Sequence, residues 1–181
     1  MTDRTDALDV GAAIERLQVA ARQMEGMATT IDAGRPWPVG PVAGDGPESA
    51  WGPPEVLAHV AEMLGFWLDQ MELVIASSVG AGGDAHEPVP MGRMSDDPQR
   101  SAAIERDREL PTTALLARIH GAVERYAARL PALQVQDWAS LGLHPRLGPA
   151  TVAQMLDRFV LGHVADHVAQ LQASLGAQIS S

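Results

Sequence analysis

A chain of 181 residues with 23 acidic and 13 basic side chains carries a formal charge of −10, and it contains no cysteine. A field of that sign repels phosphate backbones and anionic lipid, which argues against nucleic-acid and membrane partners. Disulfides, thiolate metal ligands and a cysteine nucleophile are excluded outright. The start, MTDRTDALD, is polar and acidic rather than basic then apolar, and no uncharged run is long enough to cross a bilayer. The expectation is one domain spanning residues 1–181, in the cytoplasm.

Residues 6–32 carry Val10, Ala13, Ile14, Leu17, Ala21, Met24 and Ile31 at helical spacing. A Pro/Gly-rich stretch follows and reads as a loop. The second helix starts at Pro53, with Gly52 as N-cap and Glu55 in the first turn where the helix dipole favours an anion, and runs to about Ser77. It has two apolar sides: Val56, His59, Met63, Phe66 and Trp67 on one, and Leu57, Leu64, Leu68, Met71 and Ile75 on the other. Such a helix is either central to a bundle or offers its second side to a homodimer.

Residues 78–110 form a long connection in which 98–110 can hold a short helix. Gly80, Gly82 and Gly83 follow a helix rather than a strand, so they lack the setting of a phosphate-cradling loop. The third helix begins at Thr112 or Thr113, either able to cap it. It carries Leu115, Leu116, Ile119, Val123, Tyr126 and Leu130 on one face and breaks near Pro131. A loop over 134–150 holds Trp138 and His144. The fourth helix opens on the capping box Thr151-Val152-Ala153-Gln154 and ends by about Gly176. No strand alternation stands out. The predicted fold is all-α, a four-helix bundle ordered up-down-down-up, with the long connection crossing between helices 2 and 3.

On the fourth helix, His163 and His167 lie four apart and share a face with Val152, Leu156, Phe159, Val160 and Leu171. Two imidazoles facing an apolar interior need partners. A hydrogen-bonded histidine pair is one reading of that spacing, and a metal ion is the other. His59 is the candidate third ligand: at ~1.5 Å per residue it comes level with the region just past His167 if its helix runs antiparallel to theirs. By the same arithmetic His144 is too distant. His120 lies at the edge of its helix face, and His86 sits in a loop. Glu62 and Asp166 border the histidine faces. Either is an acceptor for an imidazole N–H, a general base, or a solvated edge carboxylate. Tyr126 reads as core, and Trp51 as a packing residue. Val164 stands where a zinc protease carries its base, so that reading is rejected.

Two landmarks carry a resemblance: Trp51-Gly-Pro-Pro-Glu55-Val-Leu-Ala-His59, and Gly148 with Thr151-Val152 opening the helix that holds His163-x-x-x-His167 and Gln170-Leu171. In this order and at these separations the chain resembles the DinB-like family of YfiT-type metal-binding bundles. That family is related to the N-terminal domain of mycothiol-dependent maleylpyruvate isomerase. Gly52, where the family often has Ser or Thr, and the longer Gly/Pro-rich connections are departures. The resemblance implies a divalent metal held by His59, His163 and His167. It also implies a small-molecule activity of the thiol-dependent transferase, isomerase or hydrolase type. Three imidazoles leave a coordination position open and suit Zn, Ni, Fe or Cu. With no cysteine in the chain, any thiol must be a low-molecular-weight cosubstrate. The alternative is a non-catalytic, metal-binding or stress-associated dimeric module.

Overall fold

The computed structural model describes residues 9–38, 48–79 and 87–179. The expected helix start at residue 6, Gly80, Gly82, Gly83 and His86 lie outside the described residues. The molecule is mostly helical, with a small sheet that the sequence pattern does not announce.

The first helical stretch is two helices, α1 (Val10–Gly26) and α2 (Ala28–Ala33). Asp9 caps α1 by accepting from the Ala12 N–H at 3.0 Å, and the break falls just after Gly26, a weak helix former. After a short turn at Glu48–Ala50, α3 (Pro53–Val79) is the longest element. Both of its apolar sides are covered within the chain. Leu57 and Leu64 are fully buried, and Leu68, Met71 and Ile75 are no more than 7% exposed. The side nominated for a homodimer is therefore part of the core, because the elements packed around α3 leave it little open surface.

The long connection carries the strand β1 (Val89–Pro90) and the short helix α4 (Pro98–Asp107), capped by Asp97. α5 (Thr112–Arg129) begins at Thr112, as expected, but neither threonine caps it. The Thr112 hydroxyl instead donates to Asp32, pinning the end of α2 to the start of α5. Pro131 closes α5 in a single tight turn, Leu130–Ala132. α6 (Val135–Ala139) then leads into β2 (Leu141–His144) and β3 (Gly148–Thr151). β1 pairs parallel to β2, and β2 pairs antiparallel to β3 with Leu141 opposite Thr151.

These strands escape pattern reading for a physical reason. In β2 the leucines face outward while Gly142 and His144 face inward, the reverse of the usual alternation. Gly142 lets the sheet lie directly on α3: a Cβ there would sit 2.4 Å from Met91 Cγ and 2.9 Å from a Val74 methyl.

The capping box forms as expected. Gln154 N–H donates to the Thr151 hydroxyl at 3.2 Å, and Thr151 N–H donates to the Gln154 side chain at 2.9 Å. It opens α7 (Val152–Met155), which passes through a π-helical stretch, Leu156–Gly162, into α8 (His163–Ile179). The wider π turn brings three consecutive side chains, Phe159, Val160 and Leu161, into the core. Gly162 fits this geometry, since a Cβ there would stand 3.3 Å from the Asp157 carbonyl oxygen.

α3 packs against α5 and α8, and α1 packs against the same two helices. Side-chain rungs tie them together. Tyr126 donates to the Leu64 carbonyl at 3.0 Å, and Arg125 meets Asp69 at 3.0 Å. Arg129 grips Glu72 through two nitrogens. Trp67 stacks on Phe159 with ring centroids 4.4 Å apart. As expected, Tyr126 is a core residue with its hydroxyl satisfied, and burial raises its pKa.

Candidate metal centre

Gly52 and two prolines fix where α3 starts, and Val56 N–H closes its first turn on the Gly52 carbonyl at 3.1 Å. His59 follows one turn later and is 3% exposed. The π-helical stretch delivers His163 at the first position of α8, and His167 lies one turn further, also 3% exposed. Nε2 of His59 and Nε2 of His163 are 3.1 Å apart. The His167 ring centroid lies 4.9 Å from that of His59 and 4.7 Å from that of His163. The fold thus brings together the three histidines singled out from sequence.

A fourth group joins them. Glu48, in the turn ahead of α3, holds its Oε2 3.8 Å from His163 Nε2. One donor atom from each of Glu48, His59, His163 and His167 lies within 4.8 Å of the others.

The donor set fits a divalent cation. Ligands about 2.0–2.2 Å from a common ion stand about 3–4 Å from one another, and the His59–His163 and His163–Glu48 separations fall in that range. His167 Nδ1 lies 2.9 Å from the Gln170 side-chain oxygen, so the proton belongs on Nδ1 and Nε2 keeps its lone pair. That Nε2 is buried and has no hydrogen-bond partner among the described residues, the condition a metal would relieve. Burial, more than any neighbouring charge, lowers the pKa of His59, His163 and His167. His167 is pulled down to about 4 by burial and then by His163. The rings are therefore neutral near pH 7, as metal ligation requires.

The centre opens on one side. A cavity of about 420 Å³ is lined by Glu48, Ser49, His163, Asp166, His167 and Gln170, together with Ala173 and Ser174. Asp166 is exposed on the rim of this cavity. Glu62 is bound by Arg93, which lies over the Phe66 ring at 3.9 Å, and among the described residues it makes no hydrogen bond to an imidazole. Trp51 packs edge-on against His59, with centroids 5.3 Å apart.

The remaining described histidines stand apart. His120 faces Glu25 of α1 at 3.5 Å. His144 Nδ1 accepts the N–H groups of Arg146 and Leu147, closing the β2–β3 turn, and its ring stacks on Phe159.

Sequence reasoning missed Glu48 and Arg100. Glu48 follows a Pro/Gly-rich loop and belongs to no helical face, so nothing in the spacing points to it. Arg100 sits on a charged short helix yet is only 5% exposed, and its guanidinium binds the Glu48 carboxylate. The signal for Gln170 was present, three residues beyond His167 on the same face, but its partner becomes visible only in three dimensions.

Comparison with known proteins agrees with this picture. YfiT from Bacillus subtilis, described as a probable metal-dependent hydrolase with an unusual four-helix bundle topology, superposes with a TM-score of 0.72 at 15% identity, over 99% of this chain and 94% of that one. The mycothiol-dependent maleylpyruvate isomerase superposes with a TM-score of 0.64 at 17% identity, over 94% of this chain and 63% of the isomerase chain. At these identities the likeness establishes the fold. No curated protein sequence matches. The model of the DinB superfamily matches residues 18–171, and the chain belongs to that superfamily.

Proposed function

We propose that this protein is a divalent-metal-dependent enzyme acting on a small molecule, with His59, His163 and His167 as the metal ligands. The observation that carries this reading is the buried, unpartnered Nε2 of His167, placed beside two converging imidazoles at the edge of a cavity. A zinc, nickel or iron ion held there would supply Lewis acidity, or a site that favours thiolate over thiol. Gln170 holds the tautomer of His167, and the cavity walls give a substrate access beside His163. Asp166, exposed on the rim, is the carboxylate available to take a proton. Glu62, neutralised by Arg93, is assigned no such part.

The reaction class is a thiol-dependent S-transfer, isomerisation or hydrolysis. The fold shared with the mycothiol-dependent isomerase supports a low-molecular-weight thiol cosubstrate, and the fold shared with YfiT supports hydrolysis. The reading takes residues 1–181 as one domain and the cytoplasm as the compartment. No helix among the described residues is long and apolar enough to cross a membrane. The rungs Leu64–Tyr126, Asp69–Arg125 and Glu72–Arg129 support parallel α3 and α5 joined by a crossover, and His59–His167 with Trp67–Phe159 support an antiparallel α8, as an up-down-down-up order requires.

A second reading, a non-catalytic metal-binding or stress-associated dimer, draws on Glu48, since four protein donors can close a metal site. Its dimer surface would have to lie elsewhere than the buried side of α3.

The test is metal analysis of protein purified without chelators, alongside His59→Ala and His163→Ala. Stoichiometric divalent metal in the parent and its loss from both variants is the expected result. Full retention in both variants would remove the ligand assignment.

A further inference from the structure

The surroundings of Glu48 go beyond what a fourth donor requires. One carboxylate oxygen is bound by Arg100, and the other faces His163 Nε2 at 3.8 Å. Arg100 is itself immobilised. It is 5% exposed, its Nη1 donates to the Ser95 carbonyl at 2.9 Å, and its guanidinium lies over the Trp51 ring at 5.1 Å. Its backbone N–H is held by the Asp97 cap of α4 at 2.8 Å, so the long connection ends by placing one cation behind the centre. The Glu48 backbone is tied as well: Gln170 Nε2 donates to its carbonyl at 2.6 Å, while the oxygen of the same amide holds His167. In contrast to this fixed scaffold, the Glu48 side chain is 34% exposed and forms part of the cavity wall.

The geometry points to Glu48 as a displaceable fourth donor, exchanged for an anionic ligand of the thiolate or carboxylate class while Arg100 retains the released carboxylate. This inference rests on the three-histidine reading above. A part-buried cation tolerates poorly any change in the charge of its own ligand shell. Replacing one monoanion by another leaves the charge at the ion unchanged. A guanidinium already bonded to the second oxygen keeps the departing carboxylate from being left unpaired. A neutral ligand would leave the ion with one negative charge fewer in its ligand shell and is disfavoured on the same ground.

The test uses the full chain loaded with cobalt(II), comparing the parent with Glu48→Gln and Glu48→Ala, with 2-mercaptoethanol as the probe. Two readouts are followed: the visible cobalt spectrum, and the thiol concentration that half-saturates the sulfur-to-cobalt charge-transfer band. The expected result is a changed visible spectrum in both variants, thiol binding by the parent, and a half-saturating concentration lowered by about tenfold or more once the competing carboxylate is gone. Identical spectra and identical half-saturation would overturn the assignment of Glu48 while leaving the histidines intact. A changed spectrum with unchanged thiol binding, or no thiol binding by the parent, would make Glu48 a permanent ligand and overturn its displacement. Failure of the parent to form a cobalt centre at all would instead remove the three-histidine reading itself.

Discussion

His167 and Gln170 are joined by a 2.9 Å contact between the imidazole Nδ1 and the amide oxygen, and the same amide reaches back to the Glu48 carbonyl. Gln170 thus fixes which nitrogen of His167 faces the other donors and where the Glu48 turn lies. Replacing it by leucine keeps the helix and the volume but removes both bonds. The expected outcome for Gln170→Leu is a metal affinity lowered by about 10–100-fold, read by competition with a chelator, with helical content unchanged. Unchanged affinity would mean that the ring is oriented by packing alone.

The buried rings also set a pH dependence for the metal-free protein. His59, His163 and His167 have folded-state pKa values below the ordinary histidine value of 6.5, with His167 near 4. Between those limits the unfolded chain binds protons that the folded chain refuses, so stability rises with pH across the window. It is fully present above about 6.5 and is lost as pH falls towards about 4. The melting temperature of the metal-free parent should fall over that window, and His167→Leu should fall less steeply. Parallel curves for the two proteins would show that the ring is not buried uncharged.

What was legible beforehand follows from what physical signals travel along a chain. The four long helical stretches were readable because their apolar residues recur at helical spacing, and the Thr151–Gln154 box marks a helix start through local bonds alone. His163 and His167 were visible because four-residue spacing is itself a geometric statement, and His59 because Gly52 and Pro53 fix where its helix begins. The π-helical stretch was not visible, since the burial of Phe159, Val160 and Leu161 that accompanies it is made against other helices and leaves no local pattern. The sheet was hidden because its inward positions are a glycine and a histidine. Glu48 and Arg100 meet across 52 residues, and no local pattern encodes such a meeting.

Gly92 shows how tightly the sheet is fitted to the bundle. Its φ of +78° lies in the left-handed region, and a Cβ there would stand 2.5 Å from His144 Cδ2 and 3.1 Å from the Trp67 ring. Its N–H donates to the Gln70 side chain at 2.7 Å, so the backbone has little freedom to move away. Gly92→Ala combines left-handed strain with overpacking and should cost about 2–4 kcal/mol in denaturant unfolding. A loss below about 0.5 kcal/mol, the range of ordinary surface substitutions, would contradict this account.

Leu68 separates the central-helix and dimer readings of the second side of α3. Leu68 is 5% exposed and Leu64 is fully buried, within the same core as Met71 and Ile75. A charge at such a position has no partner and no access to water, whereas at a true subunit interface it would separate the subunits and leave each one folded. Leu68→Asp should therefore abolish cooperative unfolding or prevent soluble expression. The milder Leu64→Ala should remain folded and lose about 2–5 kcal/mol, the range for a large-to-small change in a packed core. A well-folded Leu68→Asp protein of near-parental stability, sedimenting as a smaller species than the parent, would place that side on the surface and restore the dimer.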